Sequence, residues 1–373
     1  MTRVFDKIHR RYSNEIFGVC MGAIDGRTRA AKCYGKLGPG SNRRPTLRSV
    51  FQIGSISKTF ASTLLAVRAK EGRVAFSDPV RRYIPPADGR AAIPASMTLL
   101  DMADHYSGLP RKPPLETIVS LDQYLSEVGQ CEAAPSCPVG TPGGQFLYSN
   151  FAFGVLGQAL AVHDNFQESS YSAWEKDNDA KITGPLGMGS TRTWFGWEAY
   201  APALFSTVRA HGTLGNTPHE PNPPYFASSP YADAAGGLYS SSRDMLKWLA
   251  YSMGFSGSPE LRAAHRFLYK DPALIRSRVK PFNPAKEIGL AWNLDVHGSG
   301  ATKTTCVSKD GASPGFTAYM VFVKGQRRGV FVMLNSSPSN PKIPTIGTDL
   351  INSLPPASGS SHRTFTCGSV PPA

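Results

Sequence analysis

The 373-residue chain is 41% hydrophobic and 18% charged, and its 40 Lys and Arg against 27 Asp and Glu give a net charge of +13. It is long enough for a large buried core and two lobes, and no apolar run approaches the ~20 residues that span a bilayer. The positive balance suits an anionic membrane or cell-wall surface, but the basic residues are scattered, with no basic helix or aromatic-interleaved patch, which argues against nucleic acid.

Residues 15–24 and 29–34 read as a β-hairpin around Asp25-Gly26-Arg27-Thr28. A two-residue loop at Gly26-Arg27 sets Cys20 opposite Cys33; a loop at Asp25-Gly26 does not. A loop over 38–45 leads to a third strand over 49–53, then to Gly54 and a helix opening at Ser55. Ile56, Phe60, Leu64 and Val67 recur at helical spacing, and Gly72 stops the helix. From Asp78-Pro79 the texture changes to loops and helical segments, at 99–105, 121–128 and 151–161. The stretch 210–231 is dense in Pro, Asn, Gly and Ser and reads as a long loop. Residues 242–253 form an amphipathic pattern with Met245, Leu246, Trp248, Leu249 and Met253 inward. Strand patterns return at 289–294, 303–308, 316–323 and 329–334, the last two joined by a turn.

Strands thus come from both chain ends. The expected class is α+β, with an antiparallel sheet domain from 1–82 and 286–373 flanked by helices and a mainly helical domain inserted at 83–285. The site would lie in the cleft between them.

The cysteines Cys20, Cys33, Cys131, Cys137, Cys306 and Cys367 form no C-x-x-C and pair with no histidines at metal spacing, so neither zinc nor another cofactor is expected. Cys131 and Cys137 can close a small loop, and Cys367 can tie the Ser/Pro-rich tail to Cys306. An even count points to an oxidising compartment. Residues 1–11 hold no apolar signal region, so either export is not needed or a leader has been removed.

Ser55 and Lys58 lie three apart, on one face of a helix's first turn, where unpaired N–H groups offer partial positive charge. A serine hydroxyl needs a base to take its proton. A buried lysine near another cation can be neutral enough to serve. A second S-x-x-K, Ser277 to Lys280, runs into Pro281 and reads as solvated surface. Two more patterns follow the first in order. Tyr148-Ser149-Asn150 precedes the apolar helix at 151–161, and Lys309-Asp310-Gly311 ends a strand before the Phe316 hairpin. Together they suggest that Ser55 attacks a carbonyl while Lys58 and Tyr148 share general-base work, with Lys309 adding positive charge that favours a phenolate. Asn150 can orient Lys58 or a substrate amide. The N–H groups of Ser55 and of Ala312, just past Gly311, can form an oxyanion hole.

Each motif alone has a bland reading as a helix cap, a core tyrosine or a snorkelling lysine. Tyr12-Ser13-Asn14 and Lys36-Leu37-Gly38 are further copies. What counts is three motifs in order, each at an element boundary. Gly311 to Gly315 also fits G-x-S-x-G, but a strand pattern follows where a nucleophile elbow needs a helix, so Ser313 reads as a hairpin-approach residue.

This order resembles the serine β-lactamase/penicillin-binding protein superfamily, and the Y-x-N form resembles its class C branch. The likeness extends through residues 34–42 with Arg44-Pro45, His105-Tyr106-Ser107-Gly108-Leu109-Pro110-Arg111, 184–188 and 236–240, most like the AmpH type. It implies a periplasmic DD-carboxypeptidase/endopeptidase, its leader removed, taking peptidoglycan peptides and β-lactams. A class C-like β-lactamase and an ester hydrolase of the same fold are the enzymatic alternatives. A catalytically dead module that binds cell-wall peptides is another, against which the intact Ser55, Lys58, Tyr148 and Lys309 argue. Asp310 departs from the family's threonine. An anion there repels a substrate carboxylate and favours masked or distant ones, unless it turns to pair with Lys309 or an arginine.

Overall fold

The computed structural model describes residues 1–84, 90, 93–112, 123–124, 126–127, 140–162, 172–214, 217–219, 233–277, 286–298, 303–336, 342–355 and 367. Its strands are β1 (Gly18–Asp25), β2 (Thr28–Gly35), β3 (Val50–Gln52), β4 (Thr213–Leu214), β5 (Thr217–Pro218) and β6 (Tyr239–Ser241). They continue with β7 (Ile275–Ser277), β8 (Lys286–Gly289), β9 (Trp292–His297), β10 (Thr304–Ser313), β11 (Phe316–Val323) and β12 (Arg328–Leu334). Eight of them form one sheet in the order β2-β1-β12-β11-β10-β9-β8-β7, antiparallel throughout. The two chain ends meet where β1 pairs with β12, Val19 opposite Leu334 and Asp25 opposite Arg328.

The pleat explains the layers. Along β11, Tyr319, Val321 and Val323 point to one face and Ala318, Met320 and Phe322 to the other, and both sets are buried. The first face packs against an N-terminal helix, Thr2–Tyr12, and a C-terminal one, Lys342–Asn352, through Phe5, Ile8, Ile346 and Leu350. The second face carries the helices Ser242–Ser252, Pro259–Tyr269 and Ser57–Lys70. The Ser57–Lys70 helix is buried from residue 57 to residue 68, so it needs no polar stripe.

In the first hairpin Asp25 pairs with Thr28, which leaves Gly26-Arg27 as the loop and sets Cys20 opposite Cys33, where the two form a disulfide. A second disulfide joins Cys306 to Cys367 and ties the tail to β10. Cys131 and Cys137 lie outside the described residues, as do 121–122, 125 and 128 of the segment 121–128, whose residues 123–124 and 126–127 are helical.

Several expectations need correction. β3 does not join the main sheet; it pairs with β6 in a ribbon of its own. The apolar run 289–294 is not one strand. Leu290 and Ala291 adopt positive φ, 45° and 72°, and split it into β8 and β9. Tertiary bonds hold that turn, from Ala291 N to Ala103 O (3.0 Å) and from Leu290 N to an Asp104 carboxylate oxygen (2.7 Å). β10 does not end at Lys309-Asp310-Gly311 but runs through it to Ser313, because β11 pairs with the whole stretch. The two terminal helices were not anticipated. β7 enters the sheet from residues 275–277, within the span expected to be helical.

Candidate active site

β3 delivers the chain to Gly54, whose φ of +49° is left-handed. A Cβ there would lie 2.6 Å from the Ala312 nitrogen, so only glycine lets this turn approach β10 so closely. From the opposite side, a Cβ on Gly311 would lie 2.0 Å from Ile53 O and 3.1 Å from the Ser55 nitrogen. The two glycines therefore bring the backbones of Ser55 and Ala312 side by side. The helix does not open at Ser55 as its sequence suggests. Gly54–Ile56 is a 3₁₀ turn, closed by Ile56 N to Ile53 O (3.2 Å), and the α-helix starts at Ser57. The spacing still works, since Lys58 Nζ lies 3.1 Å from Ser55 Oγ.

Lys58 is fully buried and donates to three neutral oxygens. These are Ser55 Oγ, Asn150 Oδ1 (2.6 Å) and the Ala235 carbonyl (2.6 Å). Burial first, then the nearby charges of Lys309 and Arg111, push its affinity for a proton well below that of an ordinary lysine, while Asp310 opposes them.

The Tyr148 hydroxyl donates to Ser55 Oγ at 2.6 Å. Its segment is fastened residue by residue to the 105–111 loop. Leu147 N bonds His105 O (2.7 Å), Ser149 N bonds His105 Nδ1 (3.0 Å), Ser149 Oγ bonds Pro110 O (2.6 Å) and Asn150 N bonds Arg111 O (2.8 Å). Ser149 Oγ also accepts from Ala152 N (2.9 Å) near the start of the Asn150–Val162 helix. The His105 ring stacks on Tyr148 at 4.2 Å. His105 holds a φ of +62°, rare for a residue with a Cβ. Burial, helped by Lys58, Lys309 and Arg111, keeps its imidazole neutral well below the usual range.

Three basic side chains surround the Tyr148 ring, with the heads of Lys58, Arg111 and Lys309 at 5.0, 5.2 and 5.4 Å from its centroid. Lys309 reaches the site because β9 pairs with β10 only as far as Ser308, so 309–313 run on toward the Ser55 turn. Its side chain is buried, and Nζ bonds both the Asp310 carbonyl (3.0 Å) and an Asp310 carboxylate oxygen (3.3 Å). Asp310 has therefore turned to pair with its neighbour.

Ser55, Lys58, Tyr148, Asn150, Lys309, Asp310, Gly311 and Ala312 thus come together. Ser313 ends β10 opposite Phe316 and precedes a strand, without the helix of an elbow. Ser277 sits in β7, and Lys280 lies outside the described residues. Sequence reasoning gave no role to His105, Arg111 or the Ala235 carbonyl. The first two were visible only within the 105–111 run, and a backbone oxygen carries no sequence signal.

A profile of the Beta-lactamase family matches residues 6–348. The chain is 29% identical over 358 residues to the D-alanyl-D-alanine-carboxypeptidase/endopeptidase AmpH of Escherichia coli K12, covering 88% of this chain and 83% of that protein. It is 26% identical over 338 residues to a beta-lactamase of the same organism, covering 83% and 81%. Among solved structures, a beta-lactamase/D-alanine carboxypeptidase from Pseudomonas syringae superposes with a TM-score of 0.77 at 21% identity, covering 95% of this chain and 99% of that one. The class C beta-lactamase of Rhodobacter sphaeroides gives 0.73 at 23%, covering 94% and 97%. These two share the fold, a β-lactamase/transpeptidase-like arrangement of helices on an antiparallel sheet. With its profile matched over nearly its whole length, this chain belongs to the Beta-lactamase family.

Proposed function

We propose that this protein is a penicillin-binding serine hydrolase that forms an acyl-enzyme on Ser55 and acts as a DD-carboxypeptidase/endopeptidase on peptidoglycan peptides. The observation that carries the reading is the convergence of two proton-handling groups, Tyr148 OH and Lys58 Nζ, on one serine oxygen.

The surroundings of Lys58 suggest how it serves as a base. A neutral amine has two N–H groups and one lone pair. The Asn150 and Ala235 oxygens take the two N–H groups, which leaves the lone pair aimed at Ser55 Oγ. As Ser55 Oγ bonds to the carbonyl carbon, its proton passes to the Lys58–Tyr148 pair and then to the leaving amine. The carbonyl oxygen, now anionic, settles between the N–H groups of Ser55 and Ala312, which the two glycines have brought together. Water then attacks the ester, loses a proton to the same pair, and frees Ser55. Negative charge arising on the tyrosine oxygen during transfer is met by Arg111 and Lys309 beside the ring. The relative named a D-alanyl-D-alanine-carboxypeptidase/endopeptidase supports the choice of substrate, and the disulfides Cys20–Cys33 and Cys306–Cys367 support an oxidising compartment such as the periplasm.

A class C-like β-lactamase is the second reading, favoured by the likeness to named beta-lactamases. The two differ in how fast the penicilloyl ester is released and in whether D-alanine is freed from a pentapeptide. Incubation with a labelled penicillin, followed by peptide mapping and timing of release, tests both. The label should fall on Ser55, and Ser55→Ala should stay folded and unlabelled. Slow release with D-alanine freed from a pentapeptide supports the first reading, and fast release the second. Label on Ser313 contradicts both.

A further inference from the structure

We propose that Arg111 binds the carboxylate of the acyl donor, so that this site selects donors with a free carboxylate near the scissile bond. The proposal rests on Ser55 being the nucleophile.

The two lysines of the site are poor candidates for that contact. Lys58 is fully buried, and its amine is engaged by three oxygens inside the protein. Lys309 is 1% exposed and already answered by Asp310, so a carboxylate that approaches it also meets an anion.

Arg111 differs in each respect. It is exposed. Its guanidinium lies over the Tyr148 ring, 5.2 Å from the centroid, and the hydroxyl of that ring touches Ser55 Oγ. Among the described residues its guanidinium has the ring beneath it and no carboxylate partner. An arginine stacked on an aromatic face keeps its N–H edges free for a planar, bidentate anion.

The position is also fixed in advance. Arg111 O accepts from Asn150 N and Pro110 O from Ser149 Oγ, so the segment that carries Tyr148 and Asn150 also holds the arginine's backbone. An anchor ordered before binding loses less entropy when the ligand arrives. The chemistry fits a small acyl donor with a carboxylate close to the carbonyl, such as the C-terminal residue of a peptide or the ring carboxylate of a penicillin.

A competing role for Arg111 is purely electrostatic, with its charge easing proton loss from Lys58. That effect is blind to the substrate's own charge, which makes the two separable. Benzylpenicillin and its methyl ester form the probe pair, and the rate and saturation constant for Ser55 acylation are followed by intact mass in wild type, Arg111→Gln and Arg111→Lys. With matched thermal unfolding for all three, Arg111→Gln should lower the acid-to-ester rate ratio ~10-fold, the low end for a hydrogen bond to a charged group, mainly through a weaker saturation constant for the acid. Arg111→Lys should recover part of it. A ratio unchanged in Arg111→Gln, with both reagents slowed equally, overturns carboxylate binding and leaves the nucleophile standing. Failure of both reagents to label Ser55 in the wild type overturns the nucleophile itself, and this proposal with it.

Discussion

One helix carries two fully buried cations, ten residues apart, and they are treated in opposite ways. Near its C-terminal end Arg68 meets carboxylates, Asp177 at 2.5 Å and Glu71 at 3.1 Å. Near its N-terminal end Lys58 meets a hydroxyl, an amide oxygen and a backbone carbonyl, all neutral, with Lys309 and Arg111 close enough to repel its charge. Burial costs both ions their hydration. Arg68 regains that loss from its partners and keeps its charge. Lys58 has only neutral acceptors, so losing a proton is its way out. A buried cation with anions beside it holds structure together; one left among neutral oxygens is poised to take a proton.

The contrast breaks most sharply by removing each cation. Lys58→Ala should lower the acylation rate by ~10²–10⁴-fold, the range for general-base catalysis, and leave the protein folded. Arg68→Met should do the reverse. It takes the paired cation from buried Asp177, at a cost of about 3–5 kcal/mol, read as a lower denaturant midpoint, while the fraction that stays folded still labels at Ser55. An unstable Lys58→Ala beside an unaffected Arg68→Met would dissolve the distinction.

Tyr148→Phe keeps the ring, its stack on His105 and the cations around it, and removes only the hydroxyl. Acylation and deacylation should both slow by ~10²-fold. Near-normal turnover would reduce Tyr148 to packing and leave Lys58 alone at the serine.

Smaller effects come from the charges around Lys58. A base must be unprotonated to work, so the acid limb of the acylation profile follows its pKa. Arg111→Gln removes a cation that lowers that pKa, and the limb should move to higher pH. Asp310→Thr removes the anion that raises it, and the limb should move to lower pH. The same Asp310→Thr releases the charge of Lys309, so the acid-to-ester ratio for the penicillin pair should rise by ~10-fold or less, since solvent screens a half-buried carboxylate. Limbs that move together, or stay still, would show that these charges do not govern the base.

Where local chemistry decides the structure, the sequence was readable. The three-residue spacing of Ser55 and Lys58 survives even though the expected α-helical turn is 3₁₀, because both turns bring such residues together. The hairpin was readable too, though its sequence left loops at Gly26-Arg27 and Asp25-Gly26 both open, and the observed pairing of Asp25 with Thr28 selects the first and sets Cys20 against Cys33. Where distant contacts decide, the sequence misled. Leu290 and Ala291 look like strand residues, and only bonds from Asp104 and Ala103 bend them into a turn. Ser308 to Ser313 has little strand propensity, yet pairing with β11 extends it past Lys309. The helix at Thr2–Tyr12 was within reach, for Phe5, Ile8 and Tyr12 mark one buried face. His105 and Arg111 gain meaning only from what Tyr148 and Asn150 bond to.

Whether Lys58 gives up its proton where Arg68 keeps its charge is open to direct measurement. Lysine side-chain ¹³Cε–¹⁵Nζ correlation spectra recorded across pH, with the Lys58 resonance assigned by its absence in Lys58→Arg, report the protonation of that one amine. The Lys58 midpoint should lie well below those of the surface lysines, so that Lys58 is neutral while they remain charged. A Lys58 resonance that titrates among the surface lysines would contradict it.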